Sequence, residues 1–313
     1  MRSLLLQDYP EDCYEIIFVD NGSTDGTQEL LSQFVSEHAH MRLEVNPIRG
    51  IAGSRNMGLR SARYDLIAFI DADCFAPASW LGTLVSFFCK IRETDESVAG
   101  VGGANYPPAG HSRFYDILTL FLDSYLGSHN SVQGRRFRED RAVPHLPTVN
   151  VLYDKEKILH IAGFDVSFID IGEDQDLSYR ITANGWTLYY VADAGVVHML
   201  RSNFRAWSRN MFVYGKGRMW LFRKHPQRRN LVLLSPFCLV FCLVLSMLWW
   251  RSVCPLFFLI YYAFLLASSV AVCTRARRLD CVIELSLLYA LTHLSYGAGE
   301  WFGLIKNRDI SRE

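Results

Sequence analysis

Hydrophobic positions along this chain follow three different patterns. Ile16-Ile17-Phe18-Val19 and Leu66-Ile67-Ala68-Phe69-Ile70 are short, unbroken apolar runs. Such runs predict strands buried on both faces, the pattern of a parallel sheet. Residues 41–45, 98–103, 188–191 and 195–199 read as further strands. Between them, Leu30, Leu31 and Phe34 share a helical face, and residues 50–63 and 80–91 read as helices. Phe114, Ile117, Leu118, Phe121, Leu122 and Tyr125 recur at three- and four-residue spacing, so residues 113–126 form one amphipathic helix. Shorter helices follow at 155–161 and from Glu173 to the glycine stop at Asn184-Gly185. Alternating strands and helices predict an α/β domain.

Beyond Arg229 periodicity gives way to continuous apolarity. Residues 231–250 carry no charge, and at roughly 1.5 Å per residue they can cross a roughly 30 Å hydrocarbon core. Residues 253–273 form a second such run. Residues 282–305 form a third, interrupted by Glu284, His293 and Glu300. The expected organisation is a domain over residues 1–225 and a membrane domain over 226–313 with two or three transmembrane helices.

Charge sharpens this division. Residues 1–200 hold 16 Lys+Arg against 27 Asp+Glu, and residues 201–313 hold 16 against 5. The basic part is also the most apolar, which points to lipid headgroups and away from nucleic acid. Arg223, Lys224, Arg228 and Arg229 precede the apolar pair and Arg275, Arg277 and Arg278 follow it, with only Arg251 between. By the positive-inside bias the acidic domain lies in the cytosol, on a multi-pass protein of the inner (plasma) membrane. The eight cysteines include no Cys-x-x-Cys and read as reduced packing residues. Leu4-Leu5-Leu6 is too short an apolar core for a signal peptide.

The candidate chemistry sits where strands end. Asp71-Ala72-Asp73 follows the apolar run at 66–70, and in an extended chain both carboxylates face the same side. Two such charges repel, and a divalent cation is the usual way to keep both ionised. Asp20 likewise ends its strand, and Asn21 through Asp25 form a turn and helix start. Arg55 lies near the start of its helix. Glu173, Asp174 and Asp176 crowd another helix start, where capping would occupy one of them. The basic stretch Arg135, Arg136, Arg138 and Arg141 reads equally as a solvated loop or as a substrate lid.

Taken in order, Asp20 to Asp25, Arg55-Asn56, Asp71-Ala72-Asp73, Gly163-Phe164-Asp165 and Gly172-Glu173-Asp174-Gln175-Asp176-Leu177 resemble the family 2 glycosyltransferases, and Arg180, Gly185 and His198 continue the likeness. The tail His293-Leu294-Ser295-Tyr296-Gly297-Ala298-Gly299 is similar to membrane-bound members that build bacterial exopolysaccharide (succinoglycan-type) or related glycolipids. The resemblance implies a GT-A fold, a nucleotide-diphosphate sugar donor and inversion at the anomeric carbon. It implies that Asp20, with Asn21, meets the nucleobase and that Asp71 reaches the ribose or the metal shell. Asp73 would bind Mg2+ or Mn2+, and His198 would supply a further metal ligand. Arg55 would reach the diphosphate or pair locally. Asp174, beside Glu173, is the expected base, because inversion needs a proton acceptor on the opposite face of the sugar. Asp176 and Trp207 are candidates for the acceptor side.

The family begins one strand earlier than this chain. A sheet lacking that central strand would leave backbone groups of two neighbours unpaired, which would impair activity. After His198 the chain reads Ser208-Arg209-Asn210-Met211-Phe212-Val213-Tyr214-Gly215 and holds no Gln-x-x-Arg-Trp, so transfer of single sugars is expected over processive synthesis. The acceptor would be lipid-linked or a growing glycan. The alternatives are polyprenyl phosphate itself as acceptor, or an inactive domain serving as a membrane-tethered assembly partner.

Overall fold

The computed structural model describes every residue except 48–49, 130, 170, 229–230, 250–253 and 307–313. In chain order the elements are α1 (Arg2–Leu5), β1 (Ile16–Asp20), α2 (Thr27–Ser36), β2 (Met41–Val45), α3 (Ile51–Ser61), β3 (Leu66–Ile70), β4 (Cys74–Phe75), α4 (Trp80–Arg92), β5 (Val98–Gly102) and β6 (Asn105–Tyr106). Then come α5 (Arg113–Leu122), α6 (Tyr125–Ser128), β7 (Arg141–Ala142), β8 (Asn150–Asp154), α7 (Lys155–His160), α8 (Glu173–Ala183), β9 (Thr187–Tyr190) and β10 (Val196–His198). The chain closes with α9 (Phe204–Lys224), α10 (Ser235–Trp249), α11 (Cys254–Ala276) and α12 (Val282–Ile305). Two compact units emerge. The first comprises Met1–Asn105 and Phe137–Val197. The second comprises Tyr106–Arg136 and, among the described residues, 198–306, so α9 groups with the C-terminal helices, which a single boundary at 225/226 does not anticipate.

In the first unit, β1 and β2 pair in parallel with Ile16 opposite Met41. A five-stranded sheet runs β3-β8-β5-β9-β7, and a short sheet runs β4-β10-β6. The expected parallel setting of Leu66–Ile70 is corrected here: β3 pairs antiparallel with β8, Leu66 opposite Asp154. Only Ile67 of β3 is buried, because no strand among the described residues covers its other edge. β8 also pairs antiparallel with β5, so only the β5–β9 pair of this sheet is parallel. Trp80, Leu84 and Phe88 of α4 pack on Val98, Val101 and Leu152. Asn150, wholly buried, accepts from Trp80 Nε1 at 2.8 Å and donates to the Ala104 and Ala194 carbonyls at 3.1 and 2.7 Å. That one amide leaves little unpaired where four segments converge.

In the second unit, the helix expected over 113–126 is two helices. Ser124 interrupts it by capping α6 through the Gly127 N–H at 3.1 Å. Phe121 packs against Trp207 and Tyr289, with ring centroids at 5.7 and 5.2 Å. α9 and α12 approach backbone to backbone: a Cβ on Gly215 would stand 2.0 Å from the Tyr296 carbonyl oxygen, and one on Gly299 would stand 2.1 Å from that of Phe212. Among the described residues two helices are long and apolar enough to cross a membrane, Pro255–Ala276 and Leu279–Ile305. The expected first span reduces to the shorter apolar helix Val232–Ser246, while the charge-interrupted third segment is the longer one. Trp250, Arg251, Val253 and Arg229 lie outside the described residues. The seven described cysteines are all free.

Candidate active site

The turn after β1 is built by Asp20. Its Oδ2 accepts from the N–H groups of Gly22 and Ser23, both at 2.9 Å, and from Gln28 Nε2 at 2.7 Å. Hydrogen bonding from Ser23 is the largest influence and holds this carboxyl below its ordinary range, although burial opposes it. Asn21 Oδ1 accepts from the Gly50 N–H at 3.3 Å and from Asn46 Nδ2 at 3.4 Å. Asn46 Nδ2 also lies 3.1 Å from Ser54 Oγ. The turn is thereby tied to the start of α3, the helix that carries Arg55 and Asn56.

Arg55 and Asn56 point into different structures. Asn56 is buried and clamps the loop after α7 reciprocally: it donates to the Phe164 carbonyl at 2.7 Å and accepts from the Phe164 N–H at 2.8 Å. Gly163 turns at φ +69°, and a Cβ there would stand 2.4 Å from Asn56 Oδ1, so the loop needs glycine on two counts. Arg180 holds the same loop from α8, donating to the Ile161 and Gly163 carbonyls at 2.7 Å each and to Asp176 Oδ2 at 2.8 Å. Arg55 instead forks. Nη1 donates to Glu173 Oε1 and Nη2 to Asp71 Oδ1 at 3.2 Å, with the guanidinium 5.7 Å from the centre of the Phe164 ring. The local pairing open to Arg55 from sequence is present. One buried cation thus joins the two acidic segments.

Glu173 is 4% exposed, and its Oε2 has no hydrogen-bond partner among the described residues. Burial first, and the Asp174 charge next, push its pKa up to about 7 against the pull of Arg55. Asp174, one residue on, is shifted the other way. Burial would raise it, but contact with His145, the Arg55 charge and the Gln175 N–H together hold it below its ordinary value. The Gln175 N–H donates to Asp174 Oδ1 at 2.7 Å, and His145 Nε2 lies 3.5 Å from Oδ2. Adjacent carboxyls with opposed shifts are a recurrent mark of acid–base assignments.

The structure therefore gathers Asp71, Arg55, Glu173 and Asp174 into one cluster, with Asp20 and Asn21 joined to the start of the same α3 helix. Asp73 is exposed and the Asp71 side chain is 37% exposed, so both carboxylates reach solvent at the end of β3. Hard oxygen donors of this kind, with an imidazole, suit Mg2+ or Mn2+. His198 is the last residue of β10, the strand beside β4, which begins directly after Asp73. Two expectations are corrected. Asp176 is fully buried in its ion pair with Arg180 and faces no acceptor. Trp207 is 4% exposed and donates its Nε1–H to Thr292 Oγ1 at 2.9 Å, so its ring is core packing. His145 and Tyr153 belong to the site region and lacked any spacing signal. In the basic stretch the Arg136 guanidinium lies over the Tyr106 ring, 3.8 Å from its centre.

The α/β unit, with acidic residues at strand ends and a second acidic pair opening α8, matches the arrangement expected of a GT-A glycosyltransferase, and the comparisons with known proteins agree. In fold it is similar to the mannosyltransferase PcManGT from Pyrobaculum calidifontis, solved with GDP-Man and Mn2+ (TM-score 0.63, 18% identity, 96% of this chain and 81% of that one). The model of Glycosyl transferase family 2 matches residues 1–160, and the chain belongs to that family. It is 28% identical over 240 residues to the pre-mycofactocin glycosyltransferase of Mycobacterium tuberculosis, covering 74% of this chain and 47% of the relative. The chain thus spans about half the length of that relative. It is 23% identical over 304 residues to the dolichyl N-acetyl-alpha-D-glucosaminyl phosphate 3-beta-D-2,3-diacetamido-2,3-dideoxy-beta-D-glucuronosyltransferase of Methanococcus voltae, covering 96% and 90%. It is 26% identical over 249 residues to the succinoglycan biosynthesis protein ExoA of Rhizobium meliloti, covering 77% and 71%.

Proposed function

We propose that this glycosyltransferase moves one sugar, with inversion, from a nucleotide-diphosphate sugar to a lipid-linked or polysaccharide acceptor at a membrane surface. The observation that carries the reading is the Arg55 fork, which joins Asp71 to Glu173 beside Asp174. Asp20 and Asn21 receive the nucleobase end of the donor. Asp71 and Asp73 would hold Mg2+ or Mn2+, with His198 as a further ligand, and the ion would offset charge growing on the leaving diphosphate. Asp174 accepts the proton of the acceptor hydroxyl as the new bond forms, a role supported by its place beside the Arg55–Glu173 pair at the start of α8. Glu173 and Arg55 orient it.

Two apolar helices support the membrane. Leu256, Leu259, Ile260 and Phe264 of α11 and Ile283 and Leu287 of α12 are all exposed, and a bilayer is the medium that suits such side chains. Arg223, Lys224, Arg228, Arg275, Arg277 and Arg278 would then face anionic headgroups on the cytosolic side. The Methanococcus relative, whose name carries a lipid phosphate sugar and which this chain matches along nearly its whole length, favours a lipid-linked acceptor.

The test is transfer by detergent-solubilised protein from radiolabelled UDP-glucose, UDP-N-acetylglucosamine or GDP-mannose. Polyprenyl phosphate and polyprenyl diphosphate-sugar are offered as acceptors. Product on the diphosphate-sugar supports the proposal; product on polyprenyl phosphate alone moves the assignment to lipid charging. Absence of both transfer and metal-dependent donor hydrolysis leaves only a non-catalytic assembly role.

A further inference from the structure

We propose that His145 is a positioning residue for this transfer, holding the Asp174 carboxylate toward the acceptor hydroxyl through an Nε2–H contact to Oδ2. The inference rests on the reading of Asp174 as the base. His145 lies in the loop between β7 and β8, and that loop is fastened on both sides of it. The Val143 N–H donates to the Leu188 carbonyl of β9 at 2.8 Å, and the Leu146 N–H donates to Ser178 Oγ at 3.4 Å. Ser178 and Leu146 are fully buried, and Ser178 lies four residues after Asp174, on the same face of α8. The loop is therefore registered to the helix that carries the base, and His145 is brought over its first turn.

The imidazole has no competing use at that nitrogen. Nε2 is buried, has no hydrogen-bond partner among the described residues, and stands 3.5 Å from Asp174 Oδ2. At that length it is a contact able to tighten when substrate closes the site. The groups whose charge bears on Asp174 are Glu173 on α8, Arg55 on α3 and His145 on the loop, and Tyr153 of β8 feels the same cluster. Asp174 Oδ1 is already committed to the Gln175 N–H. With one oxygen tied to the helix start and the other under His145, rotation of the carboxylate is restricted. In the step itself the acceptor O–H proton goes to Asp174 as the acceptor oxygen bonds the anomeric carbon. The old carbon–oxygen bond breaks, and its electron pair leaves with the nucleotide diphosphate.

The test compares His145→Ala, His145→Gln and Asp174→Asn in the transfer assay, with UDP and GDP binding followed by calorimetry. His145→Ala is expected to lower kcat about 10- to 100-fold, part of the roughly 10²–10⁴ that a positioned base supplies, with donor KM and nucleotide binding unchanged. Loss of the donor raises the carboxyl's pKa, so the acidic limb of kcat/KM against pH moves upward. His145→Gln, which keeps an N–H near the same place, restores part of both. An unmoved acidic limb, or nucleotide binding lost in step with kcat in both variants, overturns the positioning role. Turnover retained by Asp174→Asn instead overturns the assignment of the base, an outcome read without any His145 variant.

Discussion

The Arg55 fork offers a prediction whose size depends on pH in a defined way. Glu173 is 4% exposed, the Arg55 side chain is 10% exposed, and one Glu173 oxygen has no partner among the described residues. Arg55→Met removes the cation and leaves the carboxyl. At pH 8 the parent's Glu173, with a folded pKa of about 7, is ionised and paired, whereas in the variant loss of the Arg55 pull raises that pKa further and the buried carboxyl takes up a proton. At pH 5.5 Glu173 is already protonated, and the substitution removes a hydrogen bond to a charged donor, worth about 1.5–3 kcal/mol. The penalty should therefore grow by at most about 1.4 kcal/mol between the two pH values, the linkage limit for one proton over the unit above pH 7. In a Glu173→Gln background the part of this growth that Glu173 supplies should disappear. The sign follows from linkage: a carboxyl with a raised folded pKa contributes stability below its unfolded value of about 4.5 and loses it as pH rises through about 7. Urea unfolding of the solubilised protein, followed by tryptophan fluorescence for the four members of the double-mutant cycle, measures each term. An equal Arg55→Met penalty at both pH values, or additivity of the two substitutions at pH 8, would refute the reasoning.

Three further outcomes are expected. Asp174→Asn abolishes turnover while nucleotide affinity, measured by calorimetry, changes little; loss of both together would count against Asp174 as the base. Chelation by EDTA abolishes transfer, and added Mn2+ or Mg2+ restores it in the parent but not in Asp73→Ala, with nucleotide-binding heat as the activity-independent check. Gly299→Leu drives a side chain into the Phe212 backbone, 2.1 Å from where its Cβ would stand, and should lower stability by 3 kcal/mol or more, about the upper end of ordinary overpacking, because backbone yields less than a side chain. A thermal midpoint unchanged within 1 °C, on the order of 0.5 kcal/mol or less, would exclude that close approach.

Asp71, Glu173 and Asp174 were legible because strand ends and helix starts carry local signals, and the order of the motifs supplied the family. What joins them was not. Arg55 stood open between the diphosphate and a local pair, since reading it as a fork requires knowing that α3 and α8 face each other. Asp176 looked like a third site carboxylate; its fate was decided by Arg180 four residues on, which a helix brings alongside and which also clamps the Gly163 loop. β8 escaped notice because Val151-Leu152-Tyr153 is a three-residue apolar run between Asn150 and Asp154. Yet this strand lies between β3 and β5 and turns the expected parallel sheet into a mixed one. His145 sits between Pro144 and Pro147 in a segment without periodicity, and only the registration of that loop to Ser178 gives it a place.

α9 groups with the C-terminal helices through residues that local rules discount. α9 mixes aromatic, basic and glycine residues, and local rules count glycine as a helix breaker costing about 1 kcal/mol against alanine. Gly215, Gly299 and Gly303 together forgo about 3 kcal/mol of helix propensity. In return, α9 and α12 approach until a Cβ at any of the three would fall 2.0 to 2.8 Å from a facing backbone oxygen. In water, helices gain most by burying large apolar side chains against one another, and α11 and α12 leave several of theirs exposed. In hydrocarbon that gain vanishes, because lipid tails are as apolar as leucine. Close packing between backbones is then what holds helices together. α12 is apolar enough to cross a membrane, but α9 carries Arg205, Arg209, Lys216, Arg218, Arg223 and Lys224, so their glycine crossing joins an apolar helix to a basic one and would suit the boundary where hydrocarbon gives way to headgroups.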